Sequence, residues 1–261
     1  MDSGMNPASK KTGKKNKGGK NLKRKKVVSR ITRLVIVLLV IVVFAAVGIA
    51  GGAVFGYIKT APAIDQEALD IRILTSFVYD SEGREIARLT GSENKNRELV
   101  YFNDTSKYLR DAFVAVEDER FYSHFGIDLQ RTLGAIINYI IKGSSSYGGS
   151  TITQQVVKNI TGNVDPTPAR KIQEWWNAIQ LERRYEKWQI LELYMNVIFM
   201  GHGCYGVQSA SKMYFGKDAS DLSLAESAFL AGITNAPATY DPFDDEGRKR
   251  AKERQEIILK L

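Results

Sequence analysis

The chain has 261 residues, with 37 Lys/Arg, 29 Asp/Glu, two histidines and one cysteine, Cys204. That length holds one or two domains with a real core, and a lone cysteine excludes an intrachain disulfide framework. The net charge of +8 is concentrated: residues 1–30 carry eleven Lys/Arg against Asp2 alone, leaving 26 basic and 28 acidic residues elsewhere, so a nucleic-acid-binding domain is not indicated.

Residues 1–33 read as a basic cytoplasmic tail. It is rich in Lys, Gly, Asn and Ser, has few apolar residues before Val27, and is predicted to be disordered. From Leu34 to Ile58 there is no charge, a run of 25 residues. That predicts one transmembrane helix over 34–58, too long for the apolar region of a cleaved signal peptide. Positive flanks stay cytoplasmic, so a single-pass protein of the cell membrane with its remainder outside is expected.

Residues 59–103 read as a membrane-proximal linker. Phe77 to Ala87 predicts two short strands around the Ser81-Glu82-Gly83 turn, and Asn94-Lys95-Asn96 a second turn. From residue 104 to 261 the pattern is helical. Helices are predicted over 128–142, 168–184 and 187–200, with Thr167-Pro168 as N-cap and first residue of the second. Between the first two lies a Gly/Ser loop, 143–149. Ser223-Leu224-Ala225-Glu226 is a capping box, and 246–261 is a charged helix.

The chemistry centres on Glu117-Asp118-Glu119-Arg120-Phe121-Tyr122-Ser123-His124-Phe125-Gly126, entered from the apolar run Ala112–Val116. A carboxylate at the edge of a core, among aromatics, has its charged form disfavoured and is suited to acid–base work; a helix end with a local salt bridge would look the same. Next, Gly149-Ser150-Thr151-Ile152-Thr153-Gln154-Gln155 combines a flexible glycine with hydroxyls and amides suited to a sugar or phosphate, although a serine-rich linker has similar composition. Lys158, Arg170 and Lys171 are cations such as a pyrophosphate leaving group requires. Arg170 and Glu174 are four apart on one helical face, as in an ordinary surface ion pair.

These residues carry a resemblance. Glu117-Asp118-x-x-Phe121-x-x-His124-x-Gly126, Gly149–Gln155 with Lys158-Asn159, and Arg170-Lys171-x-x-Glu174 are similar to the first three motifs of family 51 glycosyltransferases, the peptidoglycan polymerases. Lys187 to Asn196 with Tyr214-Phe215-Gly216 resembles the fourth. Leu224-Ala225-Glu226, Leu230-Ala231-Gly232 and Ala236-Pro237-x-x-Tyr240-x-Pro242 resemble the fifth. Met195 and Cys204 depart slightly, each read as packing. The order and number of matches are far more specific than any single motif.

The resemblance implies a mainly α, lysozyme-like glycosyltransferase domain with a small β element, following one transmembrane helix, and a membrane-embedded segment near the 143–149 loop. It implies polymerisation of lipid II by inverting transfer of the growing, lipid-pyrophosphate-linked glycan strand to the GlcNAc 4-hydroxyl. Glu117 would be the general base and Glu174 would act beside the pyrophosphate. Asp118, Phe121, His124, Ser150, Thr151, Gln154, Gln155, Lys158, Asn159, Arg170 and Lys171 would form the substrate site, with His124 structural in its motif. A divalent cation, Mg2+ or Mn2+, is an option at Glu174 and not a requirement. Partners would be lipid II, the glycan strand, the membrane and cell-wall synthesis proteins, with no nucleic acid. Strings matching transpeptidase motifs (Ser209–Lys212, Ser92-Glu93-Asn94, Lys11-Thr12-Gly13) are chance matches in reversed order, so no transpeptidase domain is expected within these residues. Whether the chain is a fragment of a bifunctional penicillin-binding protein or a monofunctional enzyme stays open. A lysozyme-like lytic enzyme and a non-catalytic cell-wall scaffold are the alternatives.

Overall fold

An apolar helix with no polar face needs apolar surroundings along its whole length. In the computed structural model, which describes residues 18–64, 69–71, 74–90, 95–142 and 149–261, helix α1 runs Gly18–Lys59. Its segment Ile31–Lys59 is long and apolar enough to cross a membrane, and its side chains are exposed. The helix starts sixteen residues before the uncharged run, which corrects the expected disorder of 18–33. Lys and Arg are good helix formers, and extending an existing helix adds a bond per residue without a new nucleus. The rest of the expected disordered tail, 1–17, lies outside the described residues.

The chain divides into two compact units, Met1–Phe55 and Gly56–Leu261. The stretch read as a linker therefore groups with the helical domain. Strands β1 (Ser76–Tyr79) and β2 (Glu85–Leu89) form the expected antiparallel hairpin. Asp80 closes its turn by accepting the Glu82 and Arg84 amides at 2.9 and 2.8 Å. Asn96, expected in a turn with Asn94 and Lys95, belongs to strand β3 (Asn96–Arg97), which pairs in parallel with β4 (Cys204–Tyr205); Asn94 lies outside the described residues. Cys204 is buried, and burial pushes its thiol pKa up.

Eight further helices follow among the described residues: α2 (Lys107–Glu117), α3 (Leu129–Lys142), α4 (Ile152–Thr161) and α5 (Pro168–Glu182) come first. Then come α6 (Lys187–Val197), α7 (Val207–Phe215), α8 (Leu224–Ile233) and α9 (Asp245–Ile258). The predicted caps are present: Thr167 accepts the Arg170 amide, and Ser223 and Glu226 form a reciprocal capping box. Helix α2 packs on α8, α4 lies against α5 and α6, and α9 covers α8. The core they enclose includes Leu109, Phe113, Phe121, Ile152, Ile190, Leu191, Tyr194 and Leu230, all fully buried. Each such side chain contributes about 1.5–3 kcal/mol on leaving water. Asn196 ties the loop ahead of α2 to this core, accepting the Val100 amide at 2.9 Å and donating to its carbonyl at 2.8 Å.

Helix α3 differs from the others. Leu129, Leu133, Ile137 and Ile141 recur every fourth residue, and all four are exposed. The apolar run expected over 128–142 is thus a stripe on the surface of this unit. Residues 143–148 of the adjoining Gly/Ser loop lie outside the described residues.

Candidate active site

Helix α2 ends at Glu117, after burying Leu109, Ala112 and Phe113. The carboxylate therefore stands where the helix leaves the core. Its Oε2 accepts from Gln155 Nε2 at 2.7 Å, and its Oε1 faces Thr234 Oγ1 at 3.2 Å. The sequence suggested aromatic surroundings, but Phe121 is wholly buried in the core and Tyr122 and Phe125 are exposed. The groups that hold Glu117 are neutral donors from α4 and from the end of α8.

Glu117 opens into a cleft of about 570 Å3. Ser150, Gln155, Lys158 and Asn159 line one side; Phe199, Thr234, Asn235 and Arg254 line another, and Arg131 completes the wall. Glu117 is the sole carboxylate among these lining residues. Arg131 donates to the Glu117 carbonyl at 2.6 Å, and Arg254 donates to the Gly232 carbonyl at 3.0 Å.

Below the cleft lies a polar frame. Asp118 is fully buried, and its Oδ2 accepts the Ile152 amide at 3.0 Å and faces His124 Nε2 at 2.8 Å. His124 Nδ1 accepts the Gly126 amide at 3.1 Å, so the ring hydrogen sits on Nε2 and is donated to Asp118. Gly126 has φ +98°, and a Cβ there would meet the Ala178 carbonyl oxygen at 2.8 Å. Its own carbonyl accepts from Thr151 Oγ1 at 2.7 Å and from Gln154 Nε2 at 3.3 Å. Nearby, burial works to raise the Asp128 pKa, but the Arg131 amide and the Arg120 guanidinium bring it below the usual carboxylate value.

Glu174 has other company. It is 5% exposed and accepts from Arg170 on one oxygen and Lys171 on the other. Lys171 also donates to Ser150 Oγ at 2.9 Å and Gln154 Oε1 at 3.1 Å. Burial lowers the Lys171 pKa, with Glu174 pulling it partly back. Both Glu174 oxygens thus already carry cationic donors, and among the described residues no group of three acidic, His or Cys side chains could hold a metal ion. A resident divalent cation does not fit here without displacing Arg170 or Lys171.

The predicted residues therefore fall into three sets. Glu117, Ser150, Gln155, Lys158 and Asn159 line the cleft. Asp118, Phe121, His124, Thr151 and Gln154 form the buried frame. Arg170, Lys171 and Glu174 make a half-buried charge cluster joined to the cleft through Ser150. Sequence reasoning missed Arg131, Thr234, Asn235 and Arg254. Thr234 and Asn235 sit between two quoted motif pieces, Leu230–Gly232 and Ala236-Pro237; Arg131 and Arg254 carried no local signal.

The sequence model of the family described as Transglycosylase matches residues 82–261. The chain is 38% identical over 237 residues to a penicillin-binding protein 1A of Clostridium botulinum, covering 89% of this chain and 28% of that protein. It is 43% identical over 211 residues to penicillin-binding protein 1F of Bacillus subtilis, covering 79% of this chain and 29% of that protein. The chain thus spans less than a third of the length of these curated relatives. A crystal structure of penicillin-binding protein 1A from Haemophilus influenzae aligns over 72% of this chain and 17% of that chain, at 24% identity and a TM-score of 0.36.

Proposed function

Because this chain belongs to the transglycosylase family, we propose that it polymerises lipid II into peptidoglycan glycan strands, with Glu117 as the general base. The carrying observation is a single carboxylate, held by neutral donors, facing a cleft whose other charged lining groups are all cationic. Hydrolysis of a glycosidic bond needs a protonated acid for the leaving alkoxide and a second carboxylate across the gap. The cleft offers no second carboxylate among its lining residues, and Glu174 is committed to two cations. A pyrophosphate leaves as a stable anion once its charge is met, so transfer suits this cleft better than cleavage.

In the proposed step Glu117 takes the proton of the acceptor's GlcNAc 4-hydroxyl. The 4-oxygen bonds to the anomeric carbon of the strand as the bond from that carbon to the pyrophosphate oxygen breaks, with inversion. Lys158, Arg131 and Arg254 bring positive charge to the departing group, and Ser150 couples it to Lys171 and the cluster behind. Asp118, His124, Thr151 and Gln154 act through the frame that fixes the start of α4. The Arg170–Lys171–Glu174 cluster sets the charge balance at that end, and no step passes through a metal. The substrate's lipid tail calls for a membrane-bound enzyme. The apolar segment Ile31–Lys59 and the exposed stripe of α3 support that placement, with the basic tail on the cytoplasmic side.

Incubating the protein with lipid II in detergent and sizing the products tests this reading. Long strands are expected. Shortening of preformed strands would indicate a lytic enzyme, and no change with either substrate a scaffold.

A further inference from the structure

The loop after α6 is strained where it turns. Among the described residues His202 is the one non-glycine with a positive φ, +47°, and it stands between Gly201 at +88° and Gly203 at +72°. A side chain is uncommon in that region of backbone space, and glycine would sit there without steric strain. The turn closes a tight hairpin, residues 198–206. The Met200 amide donates to the Cys204 carbonyl at 2.9 Å, the Gly206 amide donates to the Ile198 carbonyl at 2.8 Å, and the rings of Phe199 and Tyr205 lie 5.0 Å apart. The strain at the tip points to a use for the His202 side chain.

That side chain reaches across to the segment after α8. His202 Nε2 lies 2.9 Å from Asp241 Oδ1, which also accepts the Phe243 amide at 3.0 Å. An ionised carboxylate only accepts, so the imidazole donates. The His202 ring meets Phe243 edge-on at 5.0 Å and Tyr214 at 6.2 Å, and the Tyr214 hydroxyl donates to the Met200 carbonyl at 2.7 Å. Gly201 has no room for a side chain: a Cβ there would meet the Tyr214 hydroxyl at 2.9 Å and Pro237 Cβ at 3.2 Å. The hairpin is thus seated against Pro237 and tied to Asp241 further along the same segment. Phe199 and Pro237 both line the cleft in front of Glu117.

We infer that His202 and Asp241 are positioning residues: their bond clasps the hairpin that carries Phe199 to the segment that carries Pro237, and so holds the apolar wall against which a sugar of lipid II lies. Without the clasp, the wall keeps its binding position for only part of the time, and the apparent affinity falls with that part. The carboxylate of Glu117 is held by Gln155 and Thr234 and by nothing on the hairpin, so its chemistry is left as it is. The loss therefore falls on KM and not on kcat.

This inference rests on the proposed function and is tested within it. Wild type, His202→Gly, His202→Gln, Asp241→Ala and the His202→Gly/Asp241→Ala double variant are compared as full chains in detergent. Initial rates are measured over a range of lipid II concentrations, and melting temperature is recorded. Glycine removes the clasp and suits the backbone, so His202→Gly should raise KM about threefold to tenfold, the scale of one partly exposed hydrogen bond to a charged group. Its kcat should change less than about twofold. Its melting temperature should stay close to wild type, because relief of strain offsets the extra freedom of the unfolded chain. Glutamine carries an amide nitrogen near the position of the imidazole Nε2, so His202→Gln should recover most of the affinity. Asp241→Ala should match His202→Gly, and the double variant should be no worse than the worse single one. Wild-type KM in His202→Gly, a loss carried by kcat, equal losses in His202→Gly and His202→Gln, or multiplied losses in the double variant would overturn the inference while leaving the polymerase reading intact. A wild type that makes no strands would sink both. Should Asp241→Ala lower the melting temperature through the Phe243 amide that it leaves unpaired, the contrast of His202→Gly with His202→Gln decides alone.

Discussion

Glu117 and Glu174 are both partly or wholly withdrawn from water, yet their surroundings are opposites. Glu117 has an amide and a hydroxyl for company and a cleft in front of it. Glu174 has a guanidinium and an ammonium, and its side chain is almost closed off. A neutral donor holds a carboxylate in place without compensating its charge. A pair of cations holds it and compensates that charge as well. The contrast teaches that burial alone does not assign a role; the charge of the neighbours does. One glutamate faces the cleft among neutral neighbours, and the other keeps two cations in place.

Glu117→Gln should break the comparison most severely. Gln keeps the shape and can still accept from Gln155 or Thr234, but it cannot take the acceptor's proton. Strand synthesis should fall by about 10²–10⁴, the usual cost of losing a general base, with lipid II binding and melting temperature close to wild type. Near-normal turnover would remove Glu117 from the chemistry. Glu174→Gln should behave differently, because it leaves the half-buried Arg170 and Lys171 without their counter-charge. Breaking a fully buried pair from one side costs about 3–5 kcal/mol; with both cations partly exposed a smaller but measurable drop in denaturation midpoint should accompany any loss of rate. A stable but inactive Glu174→Gln protein would mean that Glu174 takes part in the chemistry directly.

The frame between the two glutamates gives the next prediction. Gly126→Ala places a Cβ against the Ala178 carbonyl at a φ of +98°, where an L residue is strained. The loss should be about 1–3 kcal/mol of stability, and the rate should fall as well. The Gly126 carbonyl holds Thr151 and Gln154, and Gln154 in turn meets Lys171. Unchanged stability would show that the loop shifts freely and that the two ends are not tied through it.

Much of this was legible in the sequence, for a physical reason in each case. The helices opened by Thr167-Pro168 and by Ser223–Glu226 were read to within a few residues because such caps act within one turn, whereas α4 and α7 were given no bounds. The Arg170–Glu174 and Lys171–Glu174 contacts follow from i,i+4 and i,i+3 spacings, although the burial of Glu174 does not. The Thr234–Glu117 contact spans 117 residues, and no local period carries such information. The frame was hidden for the same reason: Asp118 was quoted as a site residue, but its bond to the Ile152 amide needs α4 folded back onto the end of α2. The apolar helix over 128–142 was read as such, but the exposure of its stripe was not legible, because an apolar run has the same pattern whether its face meets a core or a membrane.

A third glutamate supplies the reference for an ordinary structural carboxylate and the smallest expected effect. Glu226 accepts the Ser223 amide at 2.9 Å and the Ser223 hydroxyl at 2.8 Å, and it pairs with Lys217 at 2.7 Å. The Lys217 bond first, and the Ser223 bonds after it, lower its pKa to about 2 from an ordinary 4.5. The folded-state pKa lies below the unfolded one, so the unfolded chain binds the proton more readily. The stabilisation is therefore fully present above about pH 4.5 and is lost as the pH falls toward about 2. Glu226→Gln should lower the melting temperature slightly at pH 7, on the scale of a weakened helix cap, and leave strand synthesis as it is in the wild type. The gap between variant and wild type should close as the pH is taken from 5 toward 2, since the wild type then loses the same contribution. A gap that stays constant over that range would mean that Glu226 contributes through shape alone, and its charge would be no guide to how Glu117 and Glu174 differ.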